Sequence, residues 1–157
     1  MLGAHDKRDI GREEAQVASA ARVELVVSRA SLQSGYDNAL PNLRHDGADA
    51  LLVLSAPRFA LEYERVIAAA AAQRIAAIYE WGTMARAGGL LAYGPELGQF
   101  YDRIADFVVR LLKGAPPSGM PVEQPTRFEL VVTLNTARSL GIVLPQGLLI
   151  GADEVVR

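Results

Sequence analysis

Met120–Ile142 reads MPVEQPTRFELVVTLNTARSLGI, a stretch dense in punctuation for one so near a C-terminus. Two prolines, Pro121 and Pro125, precede an apolar run over Phe128–Leu134. Asn135-Thr136 opens a short helix over Thr136–Leu140, and Leu140-Gly141 stops it. Chain ends ordinarily fray. Here the pattern predicts one more strand and helix added to a body already built.

Working outward, the same alternation recurs. Glu13–Arg22 has helical character, with two acids in its first turn to suit the N-terminal dipole. Val23–Val27 (VELVV) is β-branched and apolar, which predicts a buried strand. A helix is expected from about Tyr36, ended or kinked by Pro41 and stopped by Gly47. Ala48–Ser55 predicts a second strand, Arg58–Gln73 a long helix, Ile75–Glu80 a third strand and Thr83–Ala87 a short helix. After Gly88–Gly94, a helix over Glu96–Lys113 carries Leu97, Phe100, Tyr101, Ile104, Phe107, Val108, Leu111 and Leu112 at helical spacing. Gly114 caps it, and a proline-rich connector follows. The strands are apolar throughout rather than at alternate positions, the sign of a parallel sheet covered on both faces. The expected fold class is α/β, a doubly wound parallel sheet. Ligands of such sheets sit at the C-terminal edges of the strands. Those edges carry Ser28-Arg29, Ser55–Arg58 and Tyr79–Trp81.

Composition narrows the function. The chain has 157 residues, half of them hydrophobic, a formal charge of −2 and a pI near 5.7. That suffices for one domain with a core. Neither the net charge nor any Lys/Arg cluster suits a phosphate backbone, so no nucleic-acid partner is expected. There are no cysteines, which removes disulfides, thiolate catalysis and Cys-based metal sites. The two histidines, His5 and His45, do not make a metal centre. No secretory signal core occurs in the first ten residues, and no run of about 18 apolar residues predicts a membrane span.

The chain lacks G-x-G-x-x-G, the Walker A pattern and the G-x-S-x-G elbow. Gly88-Gly89 is expected to be a turn needing positive φ. Ser55 ends a strand, where a nucleophile is often displayed, but no histidine stands ready to activate it. A ligand-facing or helix-capping hydroxyl suits it better. Tyr79, Glu80 and Trp81 follow a strand directly and suit stacking and charge on a small ligand; equally, Trp81 packs under the next helix and Glu80 is solvated. Arg58, after Pro57, either forks onto a ligand carboxylate or is a solvated first-turn residue. The alanine run Ala68–Ala72 suits a close-packing helix face. The charges of the Glu96–Lys113 helix suit a solvated face. No enzyme constellation, metal site or cofactor motif emerges, so an enzyme is not expected.

MPVEQPTRFELVVTLNTARSLGIVLP followed by LLIGADEVV resembles the C-terminus of the ABC-type solute-binding proteins of the tryptophan/aromatic-amino-acid-like family. The matching positions are Pro121–Thr126, Arg127, Phe128, Glu129, Leu130, Val131, Thr136, Ala137, Leu140 and Gly141. Ala87–Pro117 (AGGLLAYGPELGQFYDRIADFVVRLLKGAPP) and Gly47–Phe59 (GADALLVLSAPRF) resemble two further family segments. Departures are Ala56, where the family has Asp before the proline, and Thr133 and Asn135 in VTLNT.

The resemblance implies a periplasmic-binding-protein type I fold, in which two α/β lobes joined by crossing strands enclose a small ligand. It implies that this chain is incomplete, mostly the second lobe plus hinge crossings. The expected organisation is a flexible tail over 1–10, a second-lobe unit over 11–87, and hinge-crossing and docking segments over 88–157. The implied function is the substrate-binding component of an ABC importer. It would hold a small amino-acid-like or organic solute without chemistry or cofactor, beside an ABC permease if a full-length form exists. Expected ligand contacts are Ser55, Ala56, Pro57, Arg58, Phe59, Tyr79, Glu80, Trp81, Tyr93 and Gly94. The family location is periplasmic; without a signal sequence, a complete chain of this length would stay cytoplasmic. Bare hinge surface predicts a homo-oligomer. The alternative is a stand-alone regulatory or interaction domain that reuses the lobe as a dimer.

Overall fold

A computed structural model describes residues 12–28, 35–54 and 56–157. Helix α1 (Arg12–Ala20) is followed by α2 (Gly35–His45), β1 (Ala50–Leu52), α3 (Pro57–Leu61), α4 (Tyr63–Ala72) and β2 (Ala76–Tyr79). Then come α5 (Gly82–Arg86), β3 (Leu91–Pro95), α6 (Leu97–Leu112), β4 (Phe128–Thr133), α7 (Leu134–Leu140), α8 (Gln146–Ile150) and β5 (Glu154–Val156).

The five strands form one sheet in sequence order. β1–β2, β2–β3 and β4–β5 pair in parallel, and β3–β4 pairs antiparallel. The sheet is thus mostly parallel, with one reversal where α6 leaves and the chain returns. Its two faces differ. On one, Tyr79, Ala92 and Val131 stand side by side and are all but inaccessible. They pack with Tyr36 and Leu40 of α2, Val66 and Ala70 of α4, and Met84 and Ala85 of α5. On the other, Leu52, Ile78, Leu91, Val132 and Val155 form a row across all five strands. Exposure along that row is 60% at Leu52, 40% at Ile78, 0% at Val132 and 38% at Val155. The apolar strands therefore suit cover on both sides, but the β1–β2 half is clad on one side only among the described residues.

Several sequence expectations need correction. Val23–Val27 is not a strand: residues 23–28 have no regular structure. An apolar run becomes a strand only when a neighbour takes its N–H and C=O groups. β1 pairs with β2 alone, and no described strand lies along its other edge. The long helix over Arg58–Gln73 is two, broken at Glu62, whose φ of −114° and ψ of 27° leave the helical region. The Pro41 helix is neither ended nor divided there; α2 runs through it to His45. The tail over 1–10 lies outside the described residues.

The C-terminal punctuation forms as expected. Thr133 ends β4 and leads straight into α7. Its hydroxyl donates to the Ala85 carbonyl at 2.8 Å, and the Thr136 hydroxyl donates to the Gly88 carbonyl at 2.8 Å. Both threonines thus fasten α7 to the end of α5 instead of capping their own helix. Gly88 itself adopts φ +107° at that turn, a region L side chains avoid. Gly141 closes α7, and the Ile142 amide returns to the Ala137 carbonyl at 2.9 Å. α8 and β5, absent from the elements read from sequence, complete the sheet beyond β4.

Helix α6 stands apart. None of its 16 residues is buried. Leu97, Phe100, Ile104, Phe107, Val108 and Leu111 are nonetheless at a, d and e positions of a heptad, the pattern of a packed helix. The connector behind it is held by an ion pair, with Arg103 Nε donating to Glu123 Oε2 at 2.8 Å.

Candidate functional site

The C-terminal ends of β1, β2 and β3 lie along one edge because those strands run in parallel. β4 runs against them, so its first residue, Phe128, comes to the same edge, paired with Pro95. This edge gathers most of the residues expected to contact ligand.

Glu80 and Trp81 follow β2. Glu80 is half-buried, and its Oε2 is sealed from solvent with no hydrogen-bond partner among the described residues. The solvated alternative for this carboxylate is therefore wrong for one of its two oxygens. Beneath it lies Gly94: a Cβ there would stand 2.0 Å from the Glu80 carbonyl oxygen and 3.0 Å from Cγ. Only glycine admits this approach. Trp81 is half-buried, packs against the core and precedes α5. Tyr93 is 59% exposed and stacks on Phe128, with ring centroids 5.8 Å apart and planes inclined by 24°.

At the β1 edge, Ala56 precedes α3 and Pro57 opens it. Ser55 lies outside the described residues. Arg58 is engaged within the fold, its Nη2 donating to Glu62 Oε1 at 3.2 Å. Glu62 also accepts from the Tyr36 hydroxyl at 2.9 Å, a bond that lowers its pKa, with Arg58 and Arg65 adding to the effect. Phe59 turns inward against the Tyr36 ring, 5.9 Å between centroids. Arg58 and Phe59 thus brace the α3–α4 break.

Tyr79 is in the core, only 1% exposed, and burial pushes its pKa up to about 12. It does not reach the edge to stack on a ligand; alternation along β2 turns it to the clad face while Ile78 faces out. Phe128 was missed from the sequence, because its place at the edge depends on the reversed direction of β4.

A cavity of about 160 Å³ opens at the opposite end of the strands, between α4 and α7. Its walls include Ile67, Ala71, Ile75, Leu90 and Leu140. Three of its polar side chains are engaged, Thr136 on the Gly88 carbonyl, the Ser139 hydroxyl on the Thr136 carbonyl and Arg74 Nη2 on the Ser139 carbonyl, and Tyr79 also lines it. A recognition site needs convergent polar groups with capacity to spare. The strand edge, where Glu80, Tyr93 and Phe128 gather, is the better candidate. Among the described residues no cluster of His, Cys, Asp or Glu is arranged to hold a metal ion.

Residues 9–156 match the family model described as ABC transporter substrate binding protein. The chain belongs to that family. Solved structures share the fold of this ABC substrate-binding chain. A conserved domain protein from Vibrio cholerae O1 biovar eltor is 22% identical with a TM-score of 0.83, over 91% of this chain and 48% of its own. An ABC domain in complex with L-Trp from Streptococcus pneumonia is 22% identical with a TM-score of 0.78, over 92% and 50%. A ligand-free, open substrate binding protein with adhesive properties from Clostridium difficile is 19% identical with a TM-score of 0.59, over 91% and 47%. The ABC substrate-binding chain thus spans about half the length of these neighbours. No curated protein matches it. The family is one of solute-binding proteins, not enzymes, and among the described residues no helix is long and apolar enough to cross a membrane.

Proposed function

We propose that this chain forms one wall of the solute cleft of an ABC importer's substrate-binding component, outside the cytoplasmic membrane and beside a permease. Ala56, Pro57, Glu80, Trp81, Tyr93 and Gly94 line that wall, with Arg58, Phe59 and Tyr79 bracing it from within. The observation that carries the proposal is that the strand edge bearing Glu80 also presents the exposed Tyr93–Phe128 stack. Charge and an aromatic face suit a small amino-acid-like solute. The neighbour solved with L-Trp makes tryptophan the first to try.

Such receptors gain affinity by closing two lobes around the ligand. A full clamp binding at about 1 μM corresponds to about −8 kcal/mol, and one wall with half the contacts binds near millimolar. The test is therefore an amide NMR titration with the L-amino acids to millimolar concentration. Saturable shifts centred on Glu80, Trp81, Tyr93 and Gly94 are expected. Shifts absent there, or centred on the Ala71–Leu140 cavity, would overturn the assignment.

A second proposal rests on α6. Its exposed a/d/e face supports self-association of this chain as a homo-oligomer, which would also serve the alternative role as a stand-alone interaction domain. Multi-angle light scattering is expected to give a mass above 16.9 kDa that rises with concentration. A monomer throughout the micromolar range sinks it.

A further inference from the structure

The cavity between α4 and α7 lies on the clad face of β2, lined there by Ala77 and Tyr79 and by Ile75 just before the strand. Its volume is about 160 Å³. An apolar cavity of about 150 Å³ suffices to take benzene. Ile67, Ala70, Leu90 and Leu140 make most of the remaining wall apolar. Tyr79 is the exception. It is 1% exposed, and among the described residues its hydroxyl makes no hydrogen bond, so burial alone acts on its pKa. A hydroxyl withdrawn from water without a partner is costly, and a ligand that supplies the missing bond is favoured there. Gly89 fixes the ring from behind: a Cβ on Gly89 would stand 2.6 Å from Tyr79 Cε2. Arg74, at φ +48°, reaches from the end of α4 to the Ser139 carbonyl at 3.1 Å and ties the two helices together at the rim.

We infer that this cavity is a second binding site, which takes a small neutral molecule with a benzene-sized apolar body and one oxygen that pairs with the Tyr79 hydroxyl, as a phenol has. The site lies apart from the strand edge and does not depend on the solute-cleft proposal. The Tyr79 hydroxyl can donate to such an oxygen or accept from it. An α-amino acid does not suit the cavity, because its ammonium and carboxylate would both be buried against apolar groups. Titrations with amino acids and with phenols therefore read different sites.

The test titrates phenol, and toluene as its match without the hydroxyl, into the full chain while amide resonances are followed by NMR. Saturable shifts are expected at Ile67, Ala71, Ile75, Leu90 and Leu140. Tyr79→Phe keeps the ring, and it should weaken phenol about fivefold, the worth of one hydrogen bond, while toluene stays within about twofold. Ala71→Leu adds bulk at an exposed position of the wall and should block both ligands. Phenol weakened no more than toluene by Tyr79→Phe overturns the pairing with Tyr79. Absence of cavity shifts with both ligands, or shifts that survive Ala71→Leu unchanged, overturns the site.

Discussion

Gly94 lies directly beneath Glu80, so close that a methyl group on Gly94 would stand 2.0 Å from the Glu80 carbonyl oxygen. The obstacle is backbone, which cannot swing aside as a flexible side chain does. Gly94→Ala is therefore expected to push the β2–α5 junction off its position, at a cost of about 1–3 kcal/mol as for other overpacked sites. Urea unfolding measures that loss. Solute-induced shifts at Trp81 should fall with it, and an unchanged midpoint would mean the junction is looser than the structure has it.

Tyr79 gives a prediction at high pH. Its folded pKa, raised by burial to about 12, lies above the ordinary tyrosine value of 10.0. Stability is thus complete below pH 10 and declines as pH rises through the folded value, since only the unfolded chain releases the proton in between. Two pKa units correspond to at most about 3 kcal/mol. Tyr36 shifts the same way, burial being the largest cause. Tyr79→Phe should lose most of the decline between pH 10 and 12, seen in unfolding midpoints across that range; an equally steep decline in the variant would place the effect elsewhere.

Glu62 acts at the other end of the scale. The Tyr36 hydroxyl and then the flanking arginines hold its pKa down. Its contribution is present above its ordinary value and is lost as pH falls through the lowered folded value. Tyr36→Phe is expected to flatten the acid limb of the stability profile between about pH 5 and 3, a range set by the usual carboxylate values. Identical acid limbs would show that the bond contributes nothing in solution.

Arg86 joins three elements. From α5, its Nη2 donates to Glu129 of β4 at 2.7 Å and its Nε to Glu154 of β5 at 2.8 Å. Lysine cannot reproduce that fork. Arg86→Lys should cost about 1 kcal/mol or less, since the groups are partly solvated. Amide exchange in β5 should speed up more than in β2. Uniform exchange across the sheet would argue that β5 is held by its ladder to β4 alone.

The exposed face of α6 carries the association proposal. Ile104→Glu places a charge at its middle and is expected to convert the oligomer to a monomer without lowering the unfolding midpoint of the lobe, since none of α6 is buried. Light scattering beside a melting curve separates the two effects. A variant that still associates would shift the interface to the bare Leu52–Ile78 sheet face.

The elements that the sequence made legible are those whose cause is local. The parallel β2, the turn at Gly88, the amphipathic α6 and the β4–α7 junction follow from β-branching, periodicity and glycine. The family resemblance likewise rested on contiguous motifs, and the match over residues 9–156 agrees with it. Of the proposed cleft wall, Glu80 and Trp81 were legible because they follow an apolar run, and Tyr93 and Gly94 through the family resemblance. Strand identity at Val23–Val27, the direction of β4, and the faces taken by Tyr79 and Phe128 were not. Each depends on which strand lies alongside and which helix lies above. A residue's own chemistry sets that it will be extended or helical; only a neighbour in space can satisfy its backbone, bury its side chain or leave a carboxylate oxygen without a donor.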